Sequence, residues 1–267
     1  MMLDIRDLSI GFTGRNSPVE VVHGISLSLG RGETLGIVGE SGAGKSMLAL
    51  AIIGLLPANA RASGTIDFNG ENLLALPERR LDRLRGAEIG MIFQEPMTAL
   101  NPAMTVGHQI AEALLLHTTI SRADAHARAL QLMDMVRIAR AESRISAYPH
   151  ELSGGERQRI GIAIALALKP ALLLADEPTT ALDVTVQAEI LDILDDLVTE
   201  MGIGLILISH DLGVVARMAD RVLVMQDGNT MEEGPTAVVL RSPQSPYTRR
   251  LIAALPRRVR AGLETAP

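Results

Sequence analysis

The chain has 267 residues, a formal charge of −6, no Cys, no Trp, two Tyr and three Phe, and its 25 basic residues are all Arg except Lys45 and Lys169. With 47% apolar residues it can bury a core and is not a disordered chain, and the lack of Cys excludes a disulfide framework, a thiolate zinc site, a Cys nucleophile and a Cys-ligated iron–sulfur cluster. Net acidity with 2% aromatic residues excludes a sequence-tolerant nucleic-acid surface, which needs a basic groove and stacking rings.

A mean hydropathy of +0.23 requires a test for membrane spans. The longest apolar stretch, residues 160–168, is about half the ~20 residues a span needs and lies between Arg159 and Lys169. Asp4, Arg6 and Asp7 interrupt any signal-peptide pattern at the start. The expectation is a soluble chain, compatible with a reducing cytoplasm, whose apolar excess is covered by partners. The Arg cluster of 249, 250, 257, 258 and 260 reads as a solvated tail.

In chain order, residues 3–10 and 19–29 read as strands of an antiparallel start, the second alternating at Ile25, Leu27 and Leu29. Residues 34–38 form a short apolar strand that enters a Gly-rich turn, and a helix over 46–56 follows, ended by Pro57. Residues 89–93 read as a further strand. Residues 105–145 break the rhythm: Ser121 with Asp124 resembles a capping box, and Ala125, Ala129, Leu132 and Val136 make one helical stripe, so an all-helical lobe is expected inside an α/β core. The apolar runs 172–175, 205–208 and 222–225 read as strands buried on both faces. Between the first two lies a helix over 184–201, with Ile190, Ile193, Leu194, Leu197 and Met201 at helical spacing. Alternating strand and helix predict a parallel α/β sheet.

The chemistry begins at Gly39-Glu40-Ser41-Gly42-Ala43-Gly44-Lys45-Ser46, which fits the eight-residue P-loop pattern and sits between a strand and a helix. Glycines let backbone N–H groups turn around phosphate oxygens, the helix start adds positive potential, Lys45 reaches the β and γ phosphates, and Ser46 is placed to ligate Mg²⁺. In a chain that otherwise writes Arg, a Lys at this position is informative, because a compact ammonium fits between phosphates where a planar guanidinium does not. Residues 172–177 then deliver Asp176 and Glu177 at the C-terminal end of a strand, where sheet ligands bind. Asp176 is read as a Mg²⁺ carboxylate, and Glu177 as the group that orients or deprotonates an attacking water.

Leu152-Ser153-Gly154-Gly155-Glu156-Arg157-Gln158 resembles the signature motif of ABC-type ATPases, and it lies just ahead of the Asp176 strand as in that family. Physically it is a second anion site, a capping hydroxyl and glycines at a positive helix end. The resemblance extends over about residues 3–255 and implies further roles. Gln94 is similar to the family's Q-loop glutamine, which touches Mg²⁺ and water and links to the membrane partner. Ala181-Leu182-Asp183 resembles the D-loop, His210 the switch histidine at γ-phosphate, and Phe12 the aromatic residue stacked on adenine. The remaining histidines (His23, His108, His117, His126 and His150) form no cluster of ligand spacing.

The implied fold is a P-loop NTPase core with parallel sheet (about 1–95 and 168–235), an N-terminal antiparallel subdomain, an inserted helical subdomain (about 96–167) and a C-terminal tail (236–267). Residues 95–102, 148–151 and 245–248 are similar to those of peptide and nickel importer ATPases. The resemblance implies ATP and Mg²⁺ as cofactors and a head-to-tail cassette dimer, with ATP held by Lys45 of one copy and closed over by Ser153 to Gly155 of the other. It also implies two transmembrane permease subunits coupled through residues 94–108, an extracytoplasmic solute-binding protein, and a peripheral position on the cytoplasmic face of the inner membrane. A soluble ABC ATPase serving an enzyme complex, such as phosphonate cleavage, is the alternative. A translation or repair factor would need a fused second cassette or a long coiled coil.

Overall fold

The computed structural model describes residues 1–13, 19–94, 99–180 and 182–255. It divides into two compact units, Met1–Leu81 with Gly204–Pro267, and Asp82–Ile203. Strands and helices are numbered along the chain.

In the first unit, β1 (Leu3–Phe12), β2 (Val19–Leu29), β4 (Ala60–Phe68) and β5 (Glu71–Asn72) form an antiparallel sheet in the order β2-β1-β4-β5. Leu3, Ile5, Leu8 and Ile10 of β1 all face the core. The slip from Ile5 to Leu8 in their period-two spacing is a bulge, with Asp7 at φ +49 and the register shifted against both neighbours. Gly64 on β4 makes room for it, since a Cβ there would lie 2.4 Å from the Asp7 carbonyl oxygen.

The same unit holds β3 (Thr34–Val38), parallel to both β8 (Gly204–Ser209) and β9 (Arg221–Gln226), with β10 (Asn229–Pro235) antiparallel to β9. Every residue of β3 and β8 is buried, which is why both read as unbroken apolar runs. α1 (Lys45–Ile53) leaves the loop after β3 and stops at Gly54, φ +71, three residues before the proline expected to end it. α8 (Leu212–Met218) lies close against β3 because Gly36 has no side chain: a Cβ there would stand 2.4 Å from Cγ1 of Val215. α9 (Thr236–Arg241) and α10 (Pro246–Ala253) add Val239, Leu240 and Tyr247 to a cluster with Val38, Leu212, Val215, Val222 and Val224. The C-terminal segment is therefore docked as far as it is described, with Arg249 and Arg250 on its exposed side; Arg257, Arg258 and Arg260 lie outside the described residues.

The second unit pairs β6 (Ile89–Ile92) in parallel with β7 (Leu172–Asp176). α2 (Glu78–Leu84) leads into it. The helical lobe appears as α3 (Val106–His117), α4 (Arg122–Met135) and α5 (Ala141–Arg144). Ser121 caps α4, its hydroxyl accepting the Asp124 N–H at 3.1 Å, and Ala125, Ala129, Leu132 and Val136 are all buried as the stripe predicts. α6 (Gly154–Ala165) packs on α3, α4, β6 and α7 (Val184–Met201). This compact unit thus groups β6, β7 and α7 with the helical lobe, a wider grouping than the functional division expected from sequence. Lys169 has a local role: at φ +53, with its N–H on the Leu166 carbonyl oxygen, it closes the turn after α6 just before Pro170. No described helix is long and apolar enough to cross a membrane.

Gly36→Ala should lower the unfolding free energy by about 1–3 kcal/mol through overpacking against Val215. A thermal melt checks this, and an unchanged midpoint would contradict the close approach of α8.

Candidate functional site

The phosphate-binding pattern is built by backbone geometry. Gly39 follows Val38 of β3, and a Cβ there would lie 2.2 Å from the Met225 carbonyl oxygen. Gly44, at φ +92, begins α1, and a Cβ there would lie 2.8 Å from the carbonyl oxygen of Val21. Gly42, at φ +85, has open space beside it. A left-handed backbone at Gly42 and Gly44 is the kind of turn that can present N–H groups to an anion. Lys45 is buried, and its Nζ donates to the carbonyl oxygens of Gly39 at 2.8 Å and Glu40 at 2.9 Å. Ser46 stands in the first turn of α1, while Glu40 and Ser41 are exposed and Ala43 is buried with its N–H on the Glu40 carbonyl oxygen. A buried ammonium in a Gly-rich loop at a helix start suits an anion such as phosphate.

Strand register places the histidine. Val38 is the partner of Ser209, so Gly39 and His210 leave neighbouring strand ends side by side. The Ser209 hydroxyl accepts the Asp211 N–H at 3.0 Å, and Asp211 caps α8 through the Gly213 N–H at 2.7 Å. His210 is thus held exposed between a strand end and a capped helix. Phe12, at the end of β1 and half-buried, pairs with Val19 and Ala60.

In the second unit Ile92 is the partner of Ala175, which brings Gln94 and Glu177, each two residues further, to the same level. Gln94 Nε2 donates to Glu177 Oε2 at 3.2 Å. Thr180 Oγ1 donates to the same oxygen at 2.7 Å, and the Thr180 N–H meets the Glu177 carbonyl oxygen. Glu177 itself has φ +48, a left-handed backbone that costs a residue with a side chain about 1–2 kcal/mol. This turn aims the carboxylate, and Thr180 fixes it. Asp176, the last residue of β7, is buried. Thr180 went unread in the sequence, although a hydroxyl three residues after a carboxylate in a turn is a recognisable signal.

Ser153 caps α6: its hydroxyl accepts the Glu156 N–H at 3.2 Å, and Glu156 Oε2 accepts the Ser153 N–H at 2.9 Å. Burial would raise the Glu156 pKa, but the Ser153 amide and hydroxyl, with Arg144 and Arg159, hold it below its ordinary value. Gly155 lets α7 approach, since a Cβ there would meet Val186 Cγ1 at 2.6 Å. Ser153, Gly154 and Gly155 open on a cleft of about 370 Å³ that Arg137, Arg159 and Asp183 also line. Asp183 accepts the N–H groups of Thr185 and Val186 and so caps α7, so that two capped helix starts meet at this cleft. Arg137 and Arg159 were not anticipated as lining residues; Arg159 bonds the Arg137 carbonyl oxygen and Glu189. Ala181 of the D-loop pattern and residues 95–98 lie outside the described residues. Among the described residues no cluster of three or more His, Asp or Glu is arranged to hold a metal.

The sequence profile described as "ABC transporter" matches residues 22–180. The chain belongs to the ABC transporter family. As a member of that family it is an ATP-binding, ATP-hydrolysing cassette. It is 49% identical over 264 residues to the oligopeptide transport ATP-binding protein OppD of Salmonella typhimurium, covering 99% of this chain and 79% of that one. It is 52% identical over 258 residues to the peptidoglycan transport ATP-binding protein YejF of Agrobacterium fabrum, covering 96% and 47%. Among solved ABC structures, a dimeric ATP-binding cassette in a post-hydrolysis state with ADP and Pi superposes with a TM-score of 0.79 at 27% identity, covering 88% of this chain and 99% of that one. These relatives agree with the resemblance to the peptide-importer subfamily that the motifs carry.

Thr180→Val should lower kcat for ATP roughly tenfold while leaving KM within about twofold, because a hydrogen bond to a charged group is worth about 1.5–3 kcal/mol and here aims a carboxylate. Thr180→Ser should retain most of the rate, and a rise in KM at unchanged kcat would contradict the role. The depressed Glu156 pKa means that its capping contribution is complete above the ordinary carboxylate value and is lost as pH falls through the lowered one. Wild-type melting midpoints should therefore exceed those of Glu156→Gln at pH 7 and converge with them as pH falls through that lowered value.

Proposed function

We propose that this chain is the motor subunit of an importer of peptides, working as a pair of cassettes with two transmembrane permease subunits and served by an extracytoplasmic solute-binding protein. The observation that carries it is the Glu177 turn: a carboxylate on a left-handed backbone, held by Gln94 and Thr180, just after a strand in a chain half identical to oligopeptide-transport ATPases. In this reading Gly39 to Ser46 bind the phosphates of ATP, Lys45 leaves its loop carbonyls to neutralise phosphate charge, and Phe12 stacks on adenine. Glu177 polarises the attacking water, and His210 stabilises charge on the γ-phosphate. Gln94, placed between the carboxylate and the segment that follows it, reports the state of the site toward the permeases.

Ser153, Gly154 and Gly155 serve the nucleotide of a second cassette. Their exposure at the cleft edge suits a surface completed by another chain. The solved relative that is a dimer supports a paired assembly. The second cassette is a copy of this chain or a related subunit.

The donors Ser46, Asp176 and Gln94 are hard oxygen ligands of the kind Mg²⁺ takes when it is bound mainly through substrate phosphates. Such a cation neutralises phosphate charge. The chain sits at the cytoplasmic face of the inner membrane through its permease partners.

Glu177→Gln should cut steady-state ATP hydrolysis by roughly 10²-fold or more while ATP still binds, the size expected for loss of a general base. Full turnover by that variant would overturn the assignment. For the cargo, loss of the chain should abolish cellular uptake of a labelled oligopeptide. Intact peptide uptake with lost uptake of a nickel chelate would reassign the substrate.

A further inference from the structure

Tyr247 was notable in the sequence only as part of a C-terminal pattern, yet the structure ties it to the phosphate loop. It is 5% exposed, with its ring in the apolar cluster that contains Val38, the residue before Gly39. Its hydroxyl oxygen accepts the N–H of Glu40 at 3.3 Å. That N–H belongs to the peptide group joining Gly39 and Glu40, and the carbonyl oxygen of the same group accepts from Lys45 Nζ at 2.8 Å. In a trans peptide the C=O and N–H bonds point in opposite directions within one plane, so a partner at each end fixes the tilt of the plane. Tyr247 holds one end and Lys45 the other.

The tyrosine is itself held. Glu232 on β10 accepts the backbone N–H groups of Gln244 at 2.8 Å and Ser245 at 3.1 Å, and the Ser245 hydroxyl accepts the Tyr247 N–H at 3.2 Å to cap α10. Burial pushes the phenol pKa up from its ordinary value, so the group stays a neutral hydroxyl at working pH. The contact has a mechanistic use. When Lys45 turns to phosphate, the 39–40 peptide loses its partner on the carbonyl side, and Tyr247 is what keeps the plane in place.

We propose that Tyr247 is a positioning residue of the phosphate loop, through which the C-terminal helix α10 sets the orientation of the Gly39–Glu40 peptide and hence the seat of Lys45. The proposal rests on Gly39 to Ser46 being the phosphate site. It predicts that removing one oxygen atom from α10 weakens nucleotide handling without loosening the fold.

The test uses the full chain. Tyr247→Phe should raise KM for ATP roughly three- to tenfold, the loss of a single hydrogen bond, with kcat within about twofold and a nearly unchanged melting midpoint. Val239→Ala, in the same apolar cluster but without a contact to the loop, should lower the midpoint and leave KM unchanged. Hydrogen exchange of the Glu40 amide should quicken in Tyr247→Phe while that of β3 does not. An unchanged KM and unchanged exchange in Tyr247→Phe, or an equal KM rise in Val239→Ala, would overturn the proposal. Loss of ATP binding in Lys45→Ala tests the underlying reading separately, because the exchange measurement needs no nucleotide.

Discussion

Register in the parallel strand pairs is the constraint on which the candidate site depends. A ladder of evenly spaced hydrogen bonds leaves no freedom in which residues of two strands stand side by side, and whatever follows the last bonded pair leaves from the same level. Ile92 opposite Ala175 therefore decides that an amide from one loop meets a carboxylate from another. Val38 opposite Ser209 likewise sets Gly39 next to His210. A slip of one residue in either pair would reverse which face every side chain takes. The largely buried apolar strands make such a slip costly, so these short apolar runs are what hold the candidate site residues in line.

Against that rigid frame the loops carry strain and close contact where chemistry needs them. Gly39 and Gly44 stand where no Cβ fits, and Glu177 accepts a left-handed backbone to present its carboxylate. Such positions persist only where the surroundings over-determine them. Here the surroundings are specific: the Met225 and Val21 carbonyls wall the phosphate loop, and Thr180 closes the turn under Glu177. The helix starts beside the signature cleft follow the same economy, with Ser153 and Asp183 satisfying backbone donors that would otherwise be exposed at a helix end.

Much of this was legible beforehand, and the reasons are physical. β2, β3 and α7 fall where alternation, an unbroken apolar run and helical spacing predict them, because burial on one face or both imposes those periods. β4 and β10 did not announce themselves: Ala60–Phe68 carries a glycine at a bulge, and Asn229–Pro235 is a largely exposed strand rich in polar residues, so neither displays a period. Gly39 to Ser46 and Ser153 to Gly155 are contiguous motifs and could be read directly. Arg137 and Tyr247 could not, because their roles depend on neighbours that the fold brings up, 207 residues away in the case of Tyr247.

The placement of the tyrosines has an optical consequence. With no tryptophan and only Tyr148 and Tyr247, the chain's tyrosine emission arises from two rings. One, partly exposed and stacked on His150, stands just before the signature helix; the other is buried against the phosphate loop. The protein thus carries one tyrosine in each compact unit, Tyr148 partly exposed and Tyr247 buried. Tyr148→Phe and Tyr247→Phe, which each leave a single tyrosine, would let unlabelled fluorescence follow one compact unit at a time.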